Sequence, residues 1–360
     1  MSAKQARINV LLDKYNLDAL LIQQISNFAW ATDGAASYVN TAAAVGVGSL
    51  LITRDARHLF TNNIEAPRFE QEEQLAKAGW QFHVDPWYEP AKSLPALAAG
   101  LKLGSDNNFP GAIDLSSELA FERSILDTGE QAKFRALSAL CGQAMDETAR
   151  SIQPGLTEFE VAAQLSAATF KRGVLPIVVL IATDERIFKF RHPLPTAKSL
   201  GKYAMMVLCG RKDGLVCSVT RLVHFGKLSD ELVEKEAATA YIDAAMIAAT
   251  RPGVTVAEVF QITKEAYADA GFANEWQLHH QGGPAGFEAR EFLATDTAKF
   301  PVVVGQTYAW NPSITGVKSE DTILVGAQKN EVISEIPGWP TISVKLDRQT
   351  IQRPSILVVE

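Results

Sequence analysis

Two stretches of this chain open a helix in the same way, 98 residues apart: QPGLTEFE at 153–160 and RPGVTVAE at 251–258 share Pro, Gly, Thr and Glu. In each, the Thr side chain can cap the helix that follows, and the Glu three residues on can bond back to the Thr amide. A long helical pattern precedes each stretch, over 130–150 and 229–250, and an amphipathic helix with strand-like material comes after. The pattern predicts two related α/β halves packed around a shared sheet, since either half alone would leave a sheet face bare. Pro-Gly before a capped helix also arises by chance, so the pattern alone leaves that alternative open.

The first third reads differently. ARINVLLDKYN has apolar residues at helical spacing, while DALLI, SLLIT, HLF and WQFHV are short strand-like runs, and NNIEAPRFEQEEQLAKAG reads as a second helix. This predicts a small α/β domain over 1–126, followed by a larger domain over 127–360. The boundary lies near LDTG at 126–129, where Thr128 and Gln131 can cap a helix running through Phe134, Leu137, Cys141 and Met145. The expected fold class is therefore α/β (α+β): a small N-terminal α/β domain and a C-terminal duplicated domain.

Composition excludes several functions. The 34 Lys plus Arg against 41 Asp plus Glu give a net charge of −7, with no basic block interleaved with aromatics, so nucleic acid is not an expected partner. No apolar run approaches the roughly 20 residues of a membrane span, and the opening segment does not read as a cleavable signal. The expected location is the cytoplasm. Cys141, Cys209 and Cys217 form no even framework and read as reduced core thiols.

Chemistry-bearing residues gather in four places. His192 lies in KFRHPLPT, where prolines constrain the backbone and an imidazole could exchange a proton near neutral pH. YAMMVLC and GLVCSVTRLVHFG read as two buried strands joined by the hairpin RKDG, and the second carries Thr220, Arg221 and His224. Arg221 in an apolar strand is either a substrate contact or one end of an ion pair. LHHQGGPAGFEARE places His279 and His280 beside three glycines, then Glu288, Arg290 and Glu291 on what the pattern predicts to be a strand, where Glu288 and Arg290 would share a face. There Arg290 could hold a substrate carboxylate by two parallel hydrogen bonds. AWNPSITGVKSEDTILV sets Asn311 after one strand and Glu320 before another, so both could meet in a cleft, with Glu320 as acid, base or orienter. These residues form no compact metal signature, and no phosphate-cradling glycine loop or Gly-Xaa-Ser-Xaa-Gly elbow is present.

In this order, TGEQAKFRALSAL, IQPGLTEFE, FRHPLPT, VCSVTRLVHFG, HHQGGPAGFEARE and WNPSITGVKSEDTILV resemble the creatinase, prolidase and aminopeptidase P (M24) superfamily over nearly the whole chain. The resemblance implies the duplicated "pita-bread" fold. Its metal-dependent members hold two divalent ions with two aspartates, one histidine and two glutamates. The corresponding positions here are Val207 or Leu208, Ser218, Gly283, Asn311 and Glu320, of which Glu320 alone retains a ligand. Creatinase itself works without metal, and its pattern resembles this chain at His192, Arg290 and Glu320. Creatine is not the implied substrate, because Thr220 stands where creatinase has a glutamate before the Arg.

The resemblance thus implies a metal-independent hydrolase, or lyase, acting on a C–N bond of a small carboxylate-bearing amide, amidine or ureido-like compound, with no cofactor. His192, His279, His280 and Glu320 are the expected catalytic residues. Arg290, Arg221, Glu288, Asn311 and Tyr38 are the expected substrate contacts. A homodimer is also implied, the small domain closing the partner's site, with Tyr38, Asn62 and Arg68 as candidates. Two alternatives stand beside this: a non-catalytic pseudo-peptidase that binds a small molecule, peptide or protein, and an Xaa-Pro-type peptidase with an atypical metal site.

Overall fold

The computed structural model describes residues 3–346 and 349–360. Contacts divide the chain into two compact units, Met1–Arg123 and Ser124–Glu360.

The first unit runs α1 (Ala3–Tyr15), β1 (Ala19–Gln24), α2 (Ile25–Ala31), β2 (Val45–Ile52), β3 (Arg57–Asn62), α3 (Ala66–Gln71), β4 (Gln81–Asp85), α4 (Ser93–Ala98), β5 (Leu103–Ser105), β6 (Ile113–Asp114) and α5 (Ser116–Ser124). One sheet orders its strands β4-β3-β2-β1-β5-β6. Leu20, Leu21 and Ile22 are buried at its centre. The long helix expected over NNIEAPRFEQEEQLAKAG shortens to α3, because Gln74 turns the chain into positive φ and Gly79 follows at φ 88°.

The second unit opens on α6 (Thr128–Ser151), whose cap is one residue earlier than expected: Asp127 accepts from the Glu130 amide, and Glu130 answers to the Asp127 amide. A carboxylate at that position also suits the positive end of the helix dipole. Next come α7 (Glu158–Phe170), β7 (Leu175–Thr183), α8 (Glu185–Lys189), β8 (Tyr203–Lys212) and β9 (Leu215–Phe225). The second half repeats the plan with α9 (Asp230–Ala249), α10 (Val256–Asp269), a 3₁₀ turn (Glu275–Leu278), β10 (Gly282–Ala285) and β11 (Thr307–Trp310). It continues through β12 (Ser313–Ile314), β13 (Val317–Lys318), β14 (Asp321–Leu324), β15 (Glu331–Val332), β16 (Thr341–Leu346), β17 (Gln349–Pro354) and β18 (Leu357–Val359).

The repeated motif behaves as its spacing predicts. Thr157 with Glu160 and Thr255 with Glu258 each close a reciprocal capping box at the start of α7 and α10. The two halves supply two sheets, ordered β18-β9-β8-β7 and β10-β11-β14-β15. Between β8 and β9, Asp213 and Gly214 both adopt positive φ, as a two-residue hairpin requires. The sheets meet where the Thr220 amide donates to the Glu320 carbonyl at 3.2 Å. Cys141, Cys209 and Cys217 are buried and free. Among the described residues, no helix is long and apolar enough to cross a membrane.

Candidate active site

The site is built at the meeting line of the two sheets. On β9, Ser218 and Thr220 point to one face and Arg221 to the other, the ordinary alternation of a strand. On the facing segment, Lys318 and Glu320 share a side while Asp321 turns away. Thr220 Oγ1 donates to Glu320 Oε2 at 2.5 Å, and Lys318 Nζ lies 2.9 Å from the same oxygen. The other oxygen, Oε1, accepts from Arg290 Nη2 at 2.8 Å.

Glu320 is nearly inaccessible, so burial by itself would raise its proton affinity. The Lys318 and Arg290 charges, with the Thr220 hydrogen bond, outweigh burial and hold the carboxyl well below the usual carboxylate range. It therefore stays ionised at neutral pH. Such a group orients and neutralises its neighbours; it is a poor proton donor or acceptor, which narrows the acid, base or orienter role to the last of the three.

Arg290 reaches this position from a bend. The strand expected over Glu288–Glu291 does not form: Glu291 accepts from the Phe287 and Glu288 amides, and the Gly286 amide donates to the Glu288 carbonyl, curling the chain. Glu288 is half-buried in that bend and shares no strand face with Arg290. The expected free guanidinium fork is likewise not seen. Arg290 Nη1 donates to Ser218 Oγ at 3.1 Å, and Nη2 is taken by Glu320. Its Nε is buried without a partner.

His192, His279 and His280 come together from two loops. Their nearest ligand atoms all lie within 4.8 Å of one another. His279 stacks on His280 with ring centroids 4.4 Å apart, and His192 Nε2 lies 3.0 Å from His279 Nε2. With both rings neutral, one of those nitrogens carries the proton and the other accepts it. Burial, reinforced by Lys318, lowers His279 to about 2, and burial with Arg290 lowers His280 to about 4. His192, which is exposed, is lowered by its partial burial and by Lys318.

Several residues of this arrangement escaped the sequence reading. Lys318 is one, although its spacing of two from Glu320 on an extended segment is a usable signal. Another is the clamp beneath His192, where Arg191 Nη2 donates to Glu275 Oε2 at 2.8 Å and to Thr315 Oγ1 at 3.0 Å. Cys209 is a third. It faces Ser218 across the β8–β9 ladder with Sγ 3.3 Å from Ser218 Oγ, and burial pushes its thiol up to about 11, so it is not a thiolate nucleophile.

The remaining expected residues divide. Asn311 is buried at the end of β11, its amide donating to the Gln281 carbonyl and its Oδ1 without a partner. Of the two readings of Arg221, the structure shows the ion pair. The guanidinium turns to the opposite face of β9, donates to Asp321 Oδ1 at 2.9 Å and lies over the Trp339 ring, away from the histidines. Tyr38, Asn62 and Arg68 belong to the first unit. There Asn62 caps the turn after β3, and Arg68 pairs with Glu65 and Glu73.

The family model for metallopeptidase family M24 matches residues 132–327, more than half of the chain. The chain belongs to metallopeptidase family M24. An uncharacterized peptidase of Staphylococcus saprophyticus is 24% identical over 232 residues, covering 61% of this chain and 65% of its own length. Just under two thirds of that relative is therefore spanned. Among solved structures, the prolidase from Pyrococcus horikoshii OT3 superposes with a TM-score of 0.79 at 19% identity, over 93% of this chain and 98% of that one. The Xaa-Pro dipeptidase from Bacillus anthracis superposes with a TM-score of 0.77 at 18% identity, over 99% of both chains. These likenesses carry the fold, and the pita-bread architecture expected from the resemblance is shown.

The ligand set that the M24 resemblance implies for two metals does not fit here. The Arg290 guanidinium spans Ser218 and Glu320, placing a cation between two positions that would each ligate one. At Gly283 a Cβ would sit 2.2 Å from the Phe292 carbonyl oxygen, so no side chain can stand at the histidine position. The donors that do converge in this M24 chain are the three neutral imidazoles, a set suited to one borderline-soft divalent ion.

Proposed function

We propose that the protein hydrolyses a C–N bond in a small carboxylate-bearing amide or short peptide, at the centre formed by His192, His279, His280, Arg290 and Glu320. The observation that carries this reading is the coexistence of neutral, proton-sharing imidazoles with two cations, Arg290 and Lys318, that share the single carboxylate of Glu320. Arg290 and Lys318 together exceed Glu320 by one positive charge, which favours an anionic substrate and an oxygen gaining negative charge. His192, exposed and neutral, accepts a proton from water and returns it to the leaving nitrogen, while His279, held neutral beside it, shares the hydrogen bond that orients its ring. Asn311 Oδ1 and Arg290 Nε are further buried polar atoms of this centre without protein partners.

The activation of water has two readings. The histidine cluster supports an Xaa-Pro-type peptidase with an atypical site, in which His192, His279 and His280 would hold one divalent ion that lowers the pKa of a bound water. The cations Lys318 and Arg290 support the other reading, a metal-independent hydrolysis, since they already supply positive charge beside Glu320 and repel a further cation. A cytoplasmic homodimer in which Tyr38 of one copy reaches the other's site belongs to the same proposal.

One experiment separates these readings. Purified protein is stripped with chelator, assayed by mass spectrometry on short peptides and carboxylate-bearing amides, then titrated with zinc, cobalt or manganese while metal uptake is measured calorimetrically. Turnover in chelator that collapses in His192→Ala supports metal-independent chemistry. Turnover restored only with one bound ion per chain, and lost along with ion uptake in His279→Ala, supports the metal-bound form. Absence of turnover under every condition would sink the hydrolase and favour the pseudo-peptidase.

A further inference from the structure

The strands that carry the candidate site also have a back. Thr220 and Glu320 face the histidines, while their neighbours Arg221 and Asp321 face away, toward a cavity of about 730 Å³. It is bordered by β14, β15 and the paired strands β16 and β17, all within the second unit, and its volume is that of a small-molecule pocket.

The lining has the chemistry of an anion site with an apolar wall. Asp321 does not supply free negative charge, because Arg221 and Arg353 hold it at 2.9 and 2.8 Å. Glu331 is bound to Arg135 at 2.7 Å, and Glu335 is exposed at the rim. Arg251 donates only to neutral oxygens, the Thr250 carbonyl and Gln349 Oε1, each at 3.3 Å. Among the described residues, neither Arg251 nor Lys329 has a carboxylate within ion-pair distance. Burial lowers the Arg251 proton affinity without removing its charge at neutral pH.

Two polar atoms in the same wall are orphaned. Arg221 Nε and Asn330 Oδ1 are buried without a hydrogen-bond partner, on side chains whose residues are 2% and 7% exposed. A buried polar atom left unpaired is unfavourable, so each marks a place where a ligand atom has something to gain. Trp339 and Val332 supply apolar surface to the same lining, with Arg221 lying over the Trp339 ring.

We propose that this cavity binds a small organic anion with an aromatic or branched apolar body, its anionic group held by Arg251 and Lys329 and its body set against Trp339 and Val332. Arg221 ties the cavity to the histidine side, because its Nη1 donates to the Thr220 carbonyl at 2.8 Å and the Glu320 carbonyl at 3.2 Å. The cavity's chemistry stands whatever reaction the histidines run.

The test uses the full chain and the aromatic sulfonate 8-anilinonaphthalene-1-sulfonate as probe, titrated by fluorescence. Saturable binding is expected, weakened about tenfold in Arg251→Gln and in the exposed Lys329→Gln, blocked by the cavity-filling Val332→Trp, and unchanged in His192→Ala. Circular dichroism of each variant confirms folding. Unchanged affinity in both Arg251→Gln and Lys329→Gln would overturn the site, as would an equal loss in His192→Ala, which would put the probe at the histidines.

Discussion

Arg290 Nη2 donates to Glu320 Oε1 across 2.8 Å, and this contact makes a guanidinium the counterion of the carboxylate that M24 resemblance assigns to metal. With Lys318 on the other oxygen, one buried carboxylate is shared by two cations and leaves one positive charge in excess. Glu320→Gln keeps the shape and removes the charge. The variant is expected to lose about 3–5 kcal/mol of unfolding free energy, the order found when one partner of a buried pair is removed, together with any C–N hydrolysis. Urea unfolding monitored by tryptophan fluorescence measures it; an unchanged midpoint would mean that the clamp adds nothing to stability.

The histidine cluster predicts an acid-side loss of stability. His280 and His279 titrate in the fold at about 4 and about 2, against 6.5 for an unperturbed imidazole. As pH falls below 6.5, the unfolded chain binds protons that the folded chain refuses, so unfolding free energy declines toward those lower values. In chelator, the melting temperature of the parent is expected to fall more steeply from pH 6.5 to pH 4 than that of a His279→Gln, His280→Gln double variant. Equal slopes would show that these rings are not held neutral.

Gly283 carries a prediction about repair. Its backbone lies so close to the Phe292 carbonyl that even a methyl group would meet the oxygen at 2.2 Å. Gly283→Ala is expected to destabilise the fold by several kcal/mol through overpacking, and Gly283→His by more. Thermal melts and metal titration of the two variants check this: a Gly283→His protein that folds normally and takes up two metal ions would refute it.

Much of this was legible in the sequence alone. The two PGxTxxE boxes and the Asp213–Gly214 hairpin follow from local rules of capping and turn chemistry, whereas the convergence of His192 with His279 and His280, which formed no compact signature in the sequence, emerges only in the fold. What escaped depends on which face a side chain takes and on partners distant in sequence. Arg221 could not be assigned until Asp321, 100 residues away, was seen beneath it. Arg290 read as a free fork because the chain pattern does not reveal that Glu291 curls the bend and swings the guanidinium onto Glu320. Lys318 was overlooked although alternation alone puts it beside Glu320.

The back-face ion network gives a contrast in magnitude. Asp321 lies between Arg221 and Arg353, and Asp243 holds Arg353 from the other side at 2.7 Å, with these four side chains nearly inaccessible. Asp321→Asn is expected to remove about 3–5 kcal/mol. Arg135→Ala breaks an exposed pair with Glu331, whose side chains retain 43% and 50% of their exposure, and is expected to change stability by less than about 1 kcal/mol. Denaturant midpoints of the two variants test the ranking.

The dipeptides Thr220-Arg221 and Glu320-Asp321 each straddle a wall one strand thick, with one member turned to the imidazole side and the other to the buried ion network. Deleting a single residue ahead of either would transpose the two populations, sending a structural arginine among the imidazoles or withdrawing the carboxylate from its cations. Length changes in these strands are thus far more damaging than substitutions, and a laboratory library meant to retune the reaction should vary letters here while leaving the spelling's length untouched.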